Sequence, residues 1–240
     1  MSEPVEPTGT AEPVDPRGTP ARKGGGFWHG VRELVIVVVA ALVISAVVRT
    51  FLVQAFWVPS GSMEETLVRG DRILVWKPGA GPSRGDVVVF RDPADWLAAP
   101  PPQPGLAGWV GRAGAFIGLL PSTTGDDLVK RVIGVGGDTI KCCSPEGKII
   151  RNGEPIDEPY LYPGDTTDQV QFTVTVPEGR IFVMGDHRSD SADSRYHLDE
   201  DDGTVPVENV VGRAEVIMWP ISRWATLPDY ADQTGGGSGQ

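Results

Sequence analysis

The sequence predicts a mostly β protein, with an extracytoplasmic antiparallel β-sheet domain behind one N-terminal transmembrane helix. Three observations support this fold class. An uncharged apolar stretch near the N-terminus is long enough to cross a bilayer, short Val-rich runs bounded by Gly and Pro follow it, and helical periodicity is scarce in the rest of the 240 residues. We therefore expect one folded domain outside the membrane.

The first elements are a tail and a helix. Residues 1–30 are predicted to be a disordered tail, because Pro, Gly, Thr and Glu dominate and large apolar side chains are rare. A transmembrane helix is predicted over 31–53, since no charge occurs from Leu34 to Val48 and about 20 apolar residues span a bilayer. A buried core helix is the alternative. The apolar character on every side favours the membrane, and the position favours an uncleaved anchor over a cleaved signal peptide.

The charges beside this helix indicate its orientation. Arg22, Lys23 and Arg32 precede the apolar stretch with only Glu33 as a nearby acidic residue, and Arg49 follows it. The positive-inside rule then places the N-terminal tail in the cytoplasm. We expect a single-pass protein of the cell membrane whose chain lies outside from about residue 54.

The outer domain is predicted over residues 54–228. A Pro- and Gly-rich insertion interrupts it at about 92–127, and a second disordered tail is predicted over 229–240. The predicted strands lie in DRILVWK (71–77), GDVVVF (85–90), the two apolar runs of KRVIGVGGDTIKC, KIIRNGEPI with its Asn-Gly hairpin signal, the two runs of QFTVTVPEGRIFVMGD, and NVVGRAEVIMWP.

The composition excludes several classes of function. The formal net charge of -11 makes non-specific nucleic-acid binding unfavourable. The two cysteines, Cys142 and Cys143, are neighbours and form neither a disulfide framework nor a zinc pattern, so we expect no metal and no cofactor. Adjacent strand residues point to opposite faces, and a bond between these two would need unusual local geometry. Free thiols and a vicinal disulfide both remain open.

The stretch PSGSMEETL (59–67) can be interpreted in two ways. Ser62 and Glu65 fit a capping box at the start of a helix, and Pro-Ser-Gly is ordinary turn chemistry. Alternatively, Ser60 or Ser62 is a nucleophile. No histidine is close in sequence, so another base would have to accept the proton.

Two later stretches favour the chemical interpretation. Positions 185–195, in VMGDHRSDSADSRYH, hold three Asp, three Ser and two Arg directly after a predicted strand. In LVKRVIGVGGD (128–138), Lys130 stands at the start of an apolar strand. Each stretch alone has a plain interpretation, as a solvated loop or an exposed lysine.

Together, in this order behind the apolar helix, the three stretches resemble the bacterial type I signal peptidases. RGDVVVF and VGRAEVIMWP match further segments of that family, and the resemblance covers roughly residues 31–220. The acidic tail and Pro-rich insertion resemble an actinobacterial form. The resemblance implies a membrane-anchored serine endopeptidase that cleaves N-terminal signal peptides from exported pre-proteins. Its partners would be those pre-proteins and the lipid bilayer.

The resemblance also implies residue roles. Ser62 would be the nucleophile and Lys130 its general base, which must be neutral to accept a proton. Burial lowers a lysine pKa from its ordinary value of about 10.4. Ser60 would help stabilise the oxyanion, and Ser191 would orient the lysine amine. The supporting ionic scaffold would be Asp186, Arg131, Asp193 and Arg195.

The substrate is expected in extended form, as an added strand. By resemblance it lies between Phe56 to Pro59, before the nucleophile, and Asp127 to Val129, before the lysine. The positions that match the small-residue pockets are Val58, Met63, Leu67, Leu128 and Val129. Plain core packing is the alternative for these apolar residues.

Two departures from the family pattern raise alternatives. Glu65 stands where the family commonly has Pro, and we expect its carboxylate to preserve the helix start. His187 stands where Asn is common, which suggests a Ser62–His187–Asp triad as a rival mechanism. In such a triad His187 would be the general base, and Lys130 would have no role in catalysis.

Two other classes of protein are alternatives to the peptidase. An inactive anchored β module that binds peptides would need none of the serines or the lysine. A self-cleaving repressor-type Ser/Lys protease would need a DNA-binding domain where this chain has an apolar span.

The insertion carries its own helical pattern. Its apolar stripe consists of Leu106, Trp109, Val110, Ala113, Ile117 and Leu120. Four glycines weaken this helix, so the stripe needs a cover. Either the β domain covers it or it lies on the outer leaflet, since the segment is too short to span a bilayer.

Overall fold

The N-terminal element is a helix, α1 (Gly26–Phe51). The structure, a computed structural model, describes residues 26–79, 81–94, 96–97 and 127–230. Within α1, Trp28–Val48 has a mean hydropathy of 2.6 and is long and apolar enough to cross a membrane. Its Leu, Ile and Val side chains are largely exposed. The predicted apolar helix of membrane-span length is therefore confirmed.

The described strands form two antiparallel sheets. In chain order they are β1 (Val53–Trp57), β2 (Arg72–Trp76), β3 (Val87–Arg91), β4 (Asp127–Val135), β5 (Thr139–Cys142), β6 (Ile150–Arg151), β7 (Glu154–Pro155), β8 (Phe172–Thr175), β9 (Arg180–Met184), β10 (Val205–Pro206), β11 (Val210–Trp219) and β12 (Ala225–Thr226). The larger sheet has the order β1-β2-β11-β3-β4-β9-β10, with β12 paired to β11, and the smaller has the order β7-β6-β5-β8. This confirms the predicted mostly antiparallel β fold.

Strand β3 shows why some strand sequences do not alternate. Its residues Val87 and Val89 belong to one apolar cluster with Phe56. Val88 and Phe90 belong to another, on the opposite face. Because both faces are covered, the strand sequence is a continuous apolar run.

Strand β4 has one partly open edge. It pairs with β3 along Asp127–Arg131. On the other side, its pairing with β9 begins at Arg131, which lies opposite Met184. Among the described residues, the edge at 128–130 therefore has no strand partner on that side.

The helix start expected at Ser62 is wrong. Residues 61–66 form turns, in which the Glu64 amide donates to the Gly61 carbonyl and the Leu67 amide to the Met63 carbonyl. Glu65 has a φ of 86°, and this left-handed conformation stops a right-handed helix. The Ser62 hydroxyl is also engaged by Lys130, so it does not serve as a cap.

Two further expectations concern single segments. Cys142 and Cys143 form a vicinal disulfide across a cis peptide bond, which is one of the two states left open.

The predicted helical stripe of the insertion lies outside the described residues. At the start of the insertion, Trp96 is buried and stacks on His197 with ring centroids 4.3 Å apart.

Candidate active site

The structure brings Ser62 and Lys130 together. Ser62 lies in the turn after β1 and Lys130 in β4, and Ser62 Oγ is 2.6 Å from Lys130 Nζ. Both residues are buried, with 5% and 3% of their surfaces exposed. A hydroxyl and an amine at this distance can exchange a proton directly.

The Lys130 amine has a strongly perturbed pKa. Burial lowers the pKa from 10.5 to about 8, because the charged form loses its hydration. The charges of Asp193, Asp186 and Asp190 oppose this shift, and that of Arg195 supports it. A substantial fraction of the amine is therefore neutral in mildly alkaline solution.

Ser60 lies beside the Ser62 hydroxyl. Its Oγ is 3.3 Å from Ser62 Oγ, and either atom can donate. Ser60 itself is exposed, whereas Ser62 is buried. The Ser60 hydroxyl can therefore rotate toward a group that approaches Ser62 from solvent.

Ser191 is connected to the lysine through a carboxylate. It is buried, and its hydroxyl donates to Asp193 Oδ2 at 2.7 Å. The hydrogen bond that the structure gives the Lys130 amine is with Ser62. The structure thus places Ser191 in the lysine's surroundings, bonded to the carboxylate that acts on the amine.

Asp193 is the centre of a buried network. The Gly185 amide donates to its Oδ2 at 2.9 Å, and the Arg195 guanidinium binds both of its oxygens. Although burial alone would raise it, the pKa of Asp193 lies below its ordinary value because of these donors and the nearby charges. Asp193 is therefore a fixed negative charge.

A second ion pair lies between Arg131 and Asp186. Arg131 Nε and Nη2 contact the two Asp186 oxygens at 2.8 and 2.6 Å, and Thr66 also donates to this carboxylate. The guanidinium carbon lies 4.0 Å from the centroid of the Tyr160 ring and 5.1 Å from that of Tyr230. Thr66 belongs to the same turn as Ser62, so the pair joins the nucleophile turn to β4 and to the end of β9.

The apolar residues expected at the substrate pockets divide between two clusters. Phe56, Val58, Met63 and Leu67 are buried in one cluster, and Val129 packs against it. Leu128 belongs to the cluster on the other side of β4, with Phe90 and Trp96. Asp127 begins β4 opposite Arg91. Val129 therefore packs with the apolar residues around the nucleophile turn, whereas Leu128 packs on the opposite face of β4.

The histidine of the rival triad faces elsewhere. The His187 ring stacks on Tyr162 with centroids 4.0 Å apart, and its Nδ1 lies 3.6 Å from Glu64 Oε2. Its contact with Ser62 is through the backbone, where the His187 amide donates to the Ser62 carbonyl at 3.1 Å. Lys130, not His187, therefore meets the Ser62 hydroxyl.

Gly185 is a site residue that the sequence analysis missed. A Cβ at this position would lie 2.3 Å from Ser191 Oγ and 2.4 Å from the Ser62 carbonyl oxygen. Only glycine permits this approach of the loop to the nucleophile turn. Its position between an apolar strand and Asp186 was a usable signal, since glycine at a strand end often marks a close backbone approach.

Comparison with known proteins identifies the family. Residues 31–219 match the family described as signal peptidase, peptidase S26. This chain therefore belongs to the signal peptidase family, as its resemblance to type I signal peptidases predicted.

Three relatives show how far the similarity extends. Signal peptidase I of Mycobacterium tuberculosis (strain ATCC 25618 / H37Rv) is 42% identical over 231 residues, which cover 85% of this chain and 78% of the relative. A probable signal peptidase I of Mycobacterium leprae (strain TN) is 38% identical over 247 residues, covering 89% and 83%. Signal peptidase I of Leptolyngbya laminosa is 31% identical over 235 residues, covering 95% and 99%.

Proposed function

We propose that this chain cleaves signal peptides with Ser62 as the nucleophile and Lys130 as the general base. As a member of its family, the chain is a serine endopeptidase that cleaves signal peptides. The observation that carries the assignment of roles is the buried 2.6 Å contact between Ser62 Oγ and Lys130 Nζ. Exported pre-proteins are the substrates.

The reaction needs the neutral amine of Lys130. In that form the amine accepts the Ser62 proton as Oγ attacks the scissile carbonyl, and the resulting ammonium then protonates the leaving amine. A water molecule then attacks the acyl-enzyme while Lys130 accepts one of its protons, and Lys130 passes that proton to Ser62 Oγ as the bond between Oγ and the acyl carbon breaks, which restores the serine hydroxyl and the neutral amine. A pKa of about 8 leaves a usable fraction of the amine neutral and still gives it enough proton affinity to act as a general base.

The oxyanion is stabilised by the Ser62 backbone amide and the Ser60 hydroxyl. The Ser60 hydroxyl lies 3.3 Å from the attacking oxygen and is accessible from solvent, which suits a donor to the carbonyl that Ser62 attacks. Ser191 positions the lysine by way of Asp193, while Arg195 and Arg131 hold the two carboxylates.

The substrate binds as a strand on the open edge of β4. This edge ends at Lys130, because β9 pairs with β4 from Arg131 onward. An extended peptide added here reaches the dyad directly. Val58 and Met63 share one apolar cluster, and Val129 packs against it, which supports a shallow apolar pocket beside Ser62 that admits only small side chains.

The enzyme acts at the membrane surface, with its tail in the cytoplasm and its β domain outside. The apolar span Trp28–Val48 and the basic residues before it support this orientation. Trp57 and Trp219 support bilayer contact by the β domain, since both are exposed and both lie opposite Arg72 in their strand pairings. Indole rings beside an arginine suit the lipid headgroup region.

The test is cleavage of a pre-protein by the full chain in detergent, followed by N-terminal sequencing of the product. We expect one cut after the signal peptide, and no product with Ser62→Ala. Circular dichroism and the melting temperature of that variant should match those of the wild type. Full activity of Ser62→Ala would refute the assignment of the nucleophile.

A further inference from the structure

The His187 ring has one buried nitrogen that faces a carboxylate. Among the described residues Nδ1 has no hydrogen-bond partner, and Glu64 Oε2 lies 3.6 Å from it. Buried polar atoms are nearly always paired, so this contact needs an explanation. Because a carboxylate only accepts hydrogen bonds, the favourable arrangement has a hydrogen on Nδ1 directed at Glu64.

Both residues are attached to the nucleophile turn. The His187 amide donates to the Ser62 carbonyl, and the Glu64 amide donates to the Gly61 carbonyl at 2.9 Å. A Cβ on Gly61 would lie 3.0 Å from Glu64 Oε1, so the carboxylate rests against the turn backbone. The contact between the two side chains therefore links the 187 loop to the turn that carries Ser62.

The surroundings favour a donor at this position. The His187 ring is held by its stack on Tyr162, which is tilted by only 13°, and the Tyr162 amide donates to the Asp186 carbonyl at 3.0 Å. The Asp190 carboxylate also lies at the turn, 3.0 Å from where a Gly61 Cβ would be. Two carboxylates at one turn repel each other, and a donor from His187 reduces that repulsion.

We propose that His187 is a positioning residue, whose Nδ1–H contact to Glu64 holds the nucleophile turn and keeps Ser62 Oγ directed at Lys130. This inference rests on the proposed roles of Ser62 and Lys130. His187 takes no proton from Ser62. Its side chain contacts the turn through Glu64 and does not contact the Ser62 hydroxyl. Its side chain should therefore affect the rate of the chemical step and leave substrate affinity nearly unchanged.

Two substitutions distinguish the contribution of the Nδ1 donor from that of the aromatic ring. His187→Asn keeps a donor at the δ position and removes the aromatic stack, whereas His187→Phe keeps a stacked ring and removes the donor. In the full chain with a pre-protein substrate, we expect His187→Phe to lower kcat about tenfold with KM within about twofold, and His187→Asn to stay within about twofold of wild type in both.

A second pair of variants tests whether Glu64 is the partner. Glu64→Ala should lower kcat by the same factor, and the double variant with His187→Phe should lose no more than either single one. His197 and Glu200 provide a matched control, since His197 Nδ1 lies 3.9 Å from Glu200 Oε2 and its ring also stacks on an aromatic residue. His197→Phe and Glu200→Ala should leave kcat within about twofold of wild type.

The outcomes are distinct. Wild-type kcat in His187→Phe, an equal loss in His187→Asn, or additive losses in the double variant would each overturn the positioning role. If His187→Phe does not fold, Glu64→Ala carries the same test, because its side chain is 35% exposed. Cleavage by Ser62→Ala would instead refute the proposed nucleophile, whatever the His187 variants show.

Discussion

Arg195 holds the Asp193 carboxylate through two contacts, from Nε to Oδ1 at 2.8 Å and from Nη2 to Oδ2 at 2.9 Å. Asp193 is the charged group that most strongly favours the protonated form of Lys130, and Arg195 acts in the opposite direction. The positive charge of Arg195 thus reduces the effect of the Asp193 carboxylate on the pKa of Lys130. Burial of the Lys130 amine is then the largest influence on that pKa. A lysine can be a base among carboxylates when those carboxylates are bound to arginines.

Removal of Arg195 is expected to lower the stability of the fold and to make Lys130 a less available base. In Arg195→Met the Asp193 carboxylate stays buried without its main partner, which typically costs about 3–5 kcal/mol. The pKa of Lys130 should rise, and the inflection of kcat/KM with pH should move to higher pH. Urea unfolding and a pH–rate profile measure the two effects.

Lys148→Met is the control for this loss of a cation. Lys148 pairs with Asp157, and both side chains are at least half exposed. The urea midpoint of Lys148→Met should stay close to that of the wild type, because an exposed ion pair contributes little to stability. Equal losses of stability in Arg195→Met and Lys148→Met would contradict a stabilising role for the buried network around Asp193.

Lys130→Met is expected to abolish activity and yet to stabilise the fold at neutral pH. The pKa of Lys130 in the folded chain is about 8, below the ordinary 10.5. Between these two values the unfolded chain binds more protons, so wild-type stability rises with pH across that window. Below about pH 8 the buried ammonium costs about 3 kcal/mol, which the methionine variant avoids.

The stability gap between Lys130→Met and wild type should therefore be largest below pH 8 and shrink as the pH approaches 10.5. Urea unfolding at several pH values measures it. A methionine variant that is less stable at pH 7 would show that the lysine is held by favourable contacts of its charged form.

Gly185→Ala is expected to displace the nucleophile. The new Cβ would overlap Ser191 Oγ and the Ser62 carbonyl oxygen, at 2.3 and 2.4 Å. A misplacement of about 1 Å can cost about 100-fold in rate, and we expect a loss of that order in kcat. Gly79→Ala is the control, since no heavy atom lies within 4 Å of its added Cβ. Unchanged kcat in Gly185→Ala would show that the loop can move without consequence.

Ser60→Ala tests the oxyanion donor. Loss of one such donor typically lowers kcat by about 100- to 1000-fold, and KM should change little. Ser60→Thr, which keeps the hydroxyl, should retain most of the activity. The assignment fails if the alanine variant raises KM while kcat stays at the wild-type value.

The parts of the fold that follow from local patterns were predictable. The Val-rich run Val87–Phe90 indicated a strand, and the order of the motifs around Ser62 and Lys130 indicated the dyad. The capping box failed because tertiary contacts overrode it. Its serine hydroxyl meets an amine 68 residues away.

Other features needed the assembled structure. Thr66 reaches Asp186 across 120 residues, and no local pattern predicts such a pairing. Tyr230 lies in the segment predicted to be a disordered tail, yet its ring packs beside Arg131 and Tyr160. An aromatic residue in a polar tail carries no sequence signal for a contact with a guanidinium.

The pH dependence of kcat/KM tests the central claim most directly, because it reports which group must lose its proton before Ser62 attacks. For the wild type we predict a rise through an apparent pKa of about 8, as the buried Lys130 amine becomes neutral. His187→Asn should show the same inflection. An inflection near the ordinary histidine value of about 6.5 that disappears in His187→Asn would contradict the dyad and identify the histidine as the base.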